Sequence, residues 1–216
     1  MALRGRGAPG HRLDYQVLSL ACTSRAVKAP PWSARWGTPG AAAASARPRS
    51  DRDIAALSGS YDNARTHYES LVPEADSARF FQMASWQATL DLADINAPHG
   101  FMRYFRMDIT ALMAGSPSFW QATQYLMGNH TIAERMFRHD PSVMLHAPLR
   151  TLLYADADGA TKFAVDQPSL LFASYDNPEI AAVGHELDAL ITQLINLLGA
   201  QVPSQLAAES RQQIRA

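Results

Sequence analysis

From residue 54 onward the apolar positions fall into short, punctuated runs, and their spacing separates strands from helices. Ile54-Ala-Ala-Leu57 reads as an edge strand. Ser58-Gly-Ser60 interrupts it, and Ser60 is placed to cap a helix from Tyr61 to Leu71 with Ala64, Tyr68 and Leu71 on one face. Pro73 stops that helix. Asp76 caps the next, which carries Phe80, Phe81, Met83 and Ala84. Ser85 caps a further piece through Trp86, Leu90 and Ile95, ended by Ala97-Pro98-His99-Gly100.

Aromatic and β-prone residues then predict two strands, Phe101 to Ile109 and Phe119 to Met127, joined by a turn with Gly115 and Pro117. Gly128-Asn129-His130 breaks the second. Thr131-Ile-Ala-Glu134 has the form of a capping box for a helix from Ile132 to His139. Arg135, Arg138 and His139 suit its C-terminal end, and Asp140-Pro141 terminates it.

Leu149–Ala155 and Ala160–Val165 form a hairpin around Asp156-Ala-Asp158-Gly159, where Gly159 is free to take positive φ. Residues 166–175 read as an irregular loop. Asn177-Pro178-Glu179 opens a long helix with Ile180, Val183, Leu187, Leu190, Ile191, Leu194 and Leu198 at helical spacing, and Gly199 closes it. Residues 201–216 read as a polar, frayed tail. The order β-α-β-β-α-β-β-α predicts an α+β fold with two layers, a mainly antiparallel sheet carrying helices on one face.

Charge divides the chain differently. Residues 1–50 carry eight Lys/Arg and only Asp14 as an acid, a net charge of +7. Residues 51–216 carry eleven Lys/Arg and nineteen acids, a net charge of −8. The sequence thus predicts a basic leader (1–50), one α+β domain (51–200) and a polar tail (201–216). Gly, Pro, Arg and Ala dominate the leader, which fits a disordered segment, an organellar targeting peptide or translation from an upstream start. Its apolar patch, Val17 to Ala21, is short for a secretory signal. An acidic body repels phosphate backbones, so nucleic-acid binding by the folded part is not expected. No apolar stretch reaches membrane-spanning length, and a single cysteine, Cys22, permits no intrachain disulfide. A cytoplasmic setting is the simpler expectation.

At Tyr125-Leu-Met-Gly-Asn-His130, Ala147-Pro-Leu-Arg150, Tyr154 and Asp156-Ala-Asp-Gly159 the chain resembles the bacterial and archaeal family called domain of unknown function 302. The resemblance runs roughly from Ser58 to Gly199 and is densest from Tyr125 to Pro168. It implies a fold similar to the halves of TATA-binding protein, often paired into dimers, and no established reaction. Many members look like Gly-Asn-Pro where this chain has Gly128-Asn129-His130, which replaces a rigid ring with a titratable one.

The strand-to-helix junction at Gly128, Asn129, His130 and Thr131 is the first candidate pocket. Free N–H groups and the helix dipole suit an anion or carbonyl oxygen there. The plain alternative is that Asn129 stabilises the turn and His130 packs locally. Arg150 shares a strand face with Leu152, where it could grip a carboxylate or phosphate, or pair internally with Asp166 or Glu134. His99 could approach His130 in space, and Tyr104 joins the set from the aromatic- and methionine-rich content: Met102, Met107, Phe119, Trp120, Tyr125, Met127, Met136 and Phe137. Such residues build cores, and they also line apolar pockets or dimer faces.

The histidines lack metal-ligand spacing: His130 and His139 are nine apart, and His185-Glu186 lacks the second histidine of a zinc helix. Asp156-Ala-Asp158-Gly159 lacks the later ligands of a calcium loop. No phosphate loop or nucleophile elbow is present, so no cofactor or metal is expected. Three functions compete, one of them a purely structural or regulatory dimer in which the sheet face is the partner surface. Another is a module binding a small apolar or anionic ligand, or an interaction module, acting as a homodimer. The third is an enzyme using His130 as acid/base, with Asn129 and Arg150 holding an anionic or carbonyl substrate.

Overall fold

A computed structural model describes residues 52–207 of the protein. The leader, with Cys22 and the Val17–Ala21 patch, lies outside the described residues, as does the end of the polar tail. Five strands form one antiparallel sheet in the order β1-β5-β4-β3-β2. They are β1 (Arg52–Ala56), β2 (Met102–Asp108), β3 (Ala122–Gly128), β4 (Leu149–Ala155) and β5 (Thr161–Asp166). The helices named among the described residues are α1 (Tyr61–Leu71), α2 (Ser77–Phe80), α3 (Trp86–Asn96), α4 (Ile109–Leu112), α5 (His130–Phe137), α6 (Pro168–Phe172) and α7 (Pro178–Leu197). The fold is the expected α+β one, with β1 at an edge.

One sheet face is packed and the other is open. Along β4 the buried positions are Leu149, Thr151, Leu153 and Ala155, while Arg150 between them is exposed. Against the packed face α1 lays Tyr68, whose ring lies 4.7 Å from that of Tyr125 and 5.8 Å from that of Phe163. Hydroxyls buried here find partners: Tyr68 Oη is 3.0 Å from Thr151 Oγ1 and donates to Met127 Sδ at 3.3 Å, while Tyr61 Oη is 2.5 Å from Thr123 Oγ1. Burial raises Tyr68 and Tyr125 well above the ordinary tyrosine range. From α7, Ile180, Val183, Ile191, Leu194 and Ile195 complete the core.

Local signals fixed several elements. Ser60, Ser85 and Asn177 each accept a backbone N–H at their predicted helix starts. The Asp156–Gly159 turn closes with Asp156 Oδ1 accepting from Asp158 and Ala160, and Gly159 takes φ +78°.

Five expectations are corrected. The helix after Asp76 stops at Phe80, leaving Phe81 exposed and Met83 outside it. The second central strand begins at Ala122 rather than Phe119, because Asp108 caps α4 instead and residues 110–121 leave the sheet. The predicted capping box does not form. Asn129 caps α5, which begins at His130, and Glu134 pairs with Arg138 one turn on. Residues 166–175 are not irregular: α6 and a 3₁₀ turn (Ala173–Tyr175) occupy them. The acceptor that starts α6 comes from α7, where the buried Asp188 accepts the Ser169 N–H at 3.1 Å and the Gln167 amide at 3.1 Å. Finally, the tail opens with a helical turn over 204–207 that buries Leu206.

Helix α7 approaches α6 closely at Gly184. A Cβ there would stand 3.1 Å from Ser169 Cα and 3.2 Å from Phe172 Cβ. No helix among the described residues is long and apolar enough to cross a membrane.

Candidate functional site

The ladder between β2 and β3 shifts register between Arg103 and Phe105. A residue released from a ladder is re-aimed, and Tyr104 here reaches across to the first residue of α5. Its hydroxyl accepts the His130 backbone N–H at 3.0 Å and lies 2.8 Å from Nδ1 of the same residue. A hydroxyl has one proton to give. Its oxygen has two lone pairs, so beside accepting the N–H it either donates to Nδ1, leaving the imidazole's own proton on Nε2, or accepts from Nδ1–H, leaving Nε2 bare. Burial holds the His130 pKa below its ordinary value and pushes that of Tyr104 up, so both groups are neutral near pH 7.

His130 Nε2 is the one buried side-chain nitrogen or oxygen among the described residues with no hydrogen-bond partner. Phe80 of α2 packs on the ring, with centroids 4.3 Å apart and planes at 81°.

Beside this ring lies a cleft of about 230 Å³. Its walls come from the end of β3 (Gly128), from α5 (Ile132, Ala133, Met136), from the turn before β4 (Met144, Ala147, Pro148, Leu149), from α6 (Phe172) and from α7 (Leu187). Among the described residues, Tyr104, Asn129 and His130 are the polar side chains of its lining, and no charged side chain lines it. Gly128 keeps one wall low: a Cβ there would lie 3.4 Å from Pro148 Cβ and 3.8 Å from the Tyr104 ring, in ordinary contact with both.

The start of α5 is not the anion cradle its sequence suggests. Its N–H groups are already bonded. That of His130 goes to Tyr104, and that of Thr131 to Asn129 Oδ1 at 3.0 Å. Those of Ile132 and Ala133 go to the Asn129 carbonyl at 3.1 and 2.9 Å. Thr131 also donates its hydroxyl to Asn129 Oδ1 at 2.7 Å. The cap has closed on itself.

Of the residues singled out from sequence, Gly128, Asn129, His130 and Tyr104 meet at the cleft. Thr131 turns back onto Asn129 and does not line it. His99 sits half-buried in the turn before β2, outside the cleft lining. Arg150 lies on the opposite, open face of the sheet, in a depression of about 440 Å³ with Arg52, Ile54, Gln124, Leu152, Tyr154 and Asp166. The aromatic and methionine set divides: Tyr125, Met127 and Met136 join the main core and Met102 a smaller one, while Phe119, Trp120 and Phe137 are exposed. Phe80, Met144, Phe172 and Leu187 complete the surroundings without having been singled out as site residues. Leu187 was legible only as a core position, and Phe172 fell in a stretch with no helical signal. Among the described residues no three His, Cys, Asp or Glu side chains gather as a metal site.

Comparison with known proteins places these features in a family context. The family model described as domain of unknown function DUF302 matches residues 87–198, a span that takes in β2 to β5, α5 and α7. A crystal structure of an uncharacterized conserved protein DUF302 from Bacillus stearothermophilus is similar over 68% of this chain and 97% of that one, with a TM-score of 0.52. Sequence identity is 13%, so this likeness speaks for the fold alone. No curated protein matches the chain.

Proposed function

The chain belongs to the family described as domain of unknown function DUF302, and from that membership, which brings no reaction with it, we propose that the domain is a small-ligand-binding module whose site is the apolar cleft beside His130. One observation carries this reading: a buried, unpartnered Nε2 on a ring that lines an otherwise apolar cleft. Buried polar atoms are nearly always bonded, and an orphaned one is costly unless a partner arrives. Apolar walls with one or two convergent polar groups are the usual make-up of a small-molecule site.

The rival reading, an enzyme with His130, Asn129 and Arg150 around one substrate, is less well supported. Arg150 and His130 lie on opposite faces of the sheet, and Asn129 Oδ1 is committed to Thr131. Thermal unfolding of the full chain with small hydrophobic neutral compounds, hydrophobic acids, haem and metal ions tests the binding reading. A compound that raises the melting temperature of the wild type, and not of a variant with the cleft filled by Ala133→Trp, supports it. A panel with no stabilising compound speaks against it.

A second reading concerns the open sheet face, which we propose as the contact between two copies. Ile54 and Phe105 are exposed on it, with Leu126, Leu152 and Met107 half-buried between them. It also carries both signs of charge, Arg52 and Arg150 beside Asp166. A face of mixed sign can pair with itself about a two-fold axis, arginine against aspartate. Sedimentation of the full chain tests this, and a monomer at all concentrations overturns it.

A further inference from the structure

We infer that the segment joining β2 to β3 docks on a zwitterionic lipid bilayer, its apolar tip entering the headgroup layer without crossing the membrane. The segment leads into Ala122, the start of β3, whereas the cleft borders Gly128 at the other end of that strand. Every residue from 110 to 121 is exposed. Four of them are large and apolar: Leu112 at 63% and Phe119 at 78% exposure, with Met113 and Trp120 half-exposed. No Asp, Glu, Lys or Arg occurs between Asp108 and Glu134. Single exposed apolar side chains are ordinary, but several gathered in one charge-free segment mark a contact surface.

The segment is built for a medium poor in hydrogen-bond partners. Asp108 Oδ1 accepts the Ala111 N–H at 2.9 Å. Met113, Ala114 and Ser116 donate to the carbonyls of Ile109, Ala111 and Met113. Ser118 donates to Ser116 Oγ, and Pro117 has no N–H to satisfy. Both legs are fastened to the sheet. Thr110 Oγ1 accepts the Ala122 N–H at 2.8 Å, and the Gln121 carbonyl accepts that of Ala155 at 2.9 Å. The rings of Phe119 and Trp120 are stacked, 5.1 Å apart with planes at 23°, so the aromatic tip is ordered before contact.

A protein partner is held in register by charges and hydrogen bonds around an apolar centre. This segment has no charge to offer, and its N–H groups are largely bonded within it. A bilayer interface requires neither, and tryptophan is enriched there. Charge then selects the lipid. Asp108 at the foot, and the net charge of −8 over residues 51–216, repel an anionic surface. Four apolar side chains without electrostatic help give a weak, reversible attachment.

Flotation of the full chain with phosphatidylcholine vesicles tests this. The wild type should float with the vesicles in high salt as in low, because burial of apolar surface is not screened. Phe119→Ser combined with Trp120→Ser should weaken partitioning by roughly tenfold. Its circular dichroism spectrum should be unchanged, since both side chains are exposed. Phe119→Leu with Trp120→Phe should restore most of the binding. With Trp32, Trp36 and Trp86 replaced by Phe, the emission of Trp120 should move to the blue and be quenched by bilayers brominated on their acyl chains. A wild type that does not float overturns the inference. So does a serine double variant that floats equally well, or flotation that salt abolishes. Self-association of the wild type that the double variant loses, with no lipid binding by either, makes the segment a contact between copies and overturns it too.

Discussion

Tyr104 and His130 are joined twice, once through the backbone N–H at 3.0 Å and once through the ring nitrogen Nδ1 at 2.8 Å. One hydroxyl thus fixes both where α5 begins and which ring nitrogen is left over. Tyr104→Phe removes both bonds and strands a helix N–H. It should cost about 1–3 kcal/mol in urea unfolding. In the same variant the tautomer preference of His130, read from its ¹⁵N shifts, should weaken. Unchanged stability and unchanged shifts would refute the double role.

Acid should act on the same ring. Its folded pKa lies below the ordinary histidine value of 6.5 because burial disfavours the imidazolium. The unfolded chain therefore takes up a proton before the folded chain does. Stability from this residue is present above about pH 6.5 and falls as pH drops toward the folded pKa. Denaturation curves from pH 7.5 to 5 should show the loss, and His130→Asn should flatten it relative to wild type.

At high pH the tyrosines dominate. Tyr61, Tyr68, Tyr104 and Tyr125 all have pKa values raised above 10.0, with burial the largest cause in each. Their stabilisation is intact below pH 10 and is lost as pH climbs above it, since the unfolded phenols ionise first. Ultraviolet titration should show these tyrosines resisting ionisation until the far-ultraviolet circular dichroism collapses. Tyr68→Phe, which leaves Thr151 without its phenol partner, should cost about 1–2 kcal/mol at neutral pH.

Gly184 is where α7 and α6 come closest. Gly184→Val puts a branched side chain into space bounded by Ser169 Cα and Phe172 Cβ. Overpacking of this kind costs about 1–3 kcal/mol. The expected result is a lower melting temperature and, because Phe172 lines the cleft, weaker binding of any cleft ligand. A melting temperature at or above wild type would show that the two helices separate freely.

The open face makes a separate prediction. Leu152→Glu places a charge near the middle of a face proposed to meet its own copy, flanked across the sheet by Gln124 and Ala164. The mass in solution should fall from two chains to one, with the circular dichroism spectrum unchanged. A dimer that survives the substitution places the contact elsewhere.

The sequence announced the fold wherever one residue governs one geometry. Ser60, Ser85 and Asn177 each cap the helix they precede, and Asp156 with Gly159 turns the hairpin. It failed where the deciding partner is remote. Asp188 starts α6 from 19 residues away, and no local pattern reveals that. Thr131 and Glu134 fit a capping box on paper, but Asn129 two residues before Thr131 and Arg138 one turn after Glu134 drew them apart. Asn129, His130 and Tyr104 could each be named from the chain. Their meeting could not be read there, because it depends on an irregularity in the pairing of β2 with β3. Arg150 shows the reverse case: strand alternation set its face correctly, and that face is the one away from the cleft.

The cleft takes its walls from Tyr104 through Leu187, so they are contributed by six separate parts of the chain. No fragment that lacks α7 contains it, and no partly unfolded form that releases α7 keeps it. An occupant would therefore act as a clasp across the whole domain, because letting go of any one wall would mean letting go of the occupant too. The lifetime of the folded chain, and with it the amount that escapes proteolysis, would then rise and fall with the supply of that occupant.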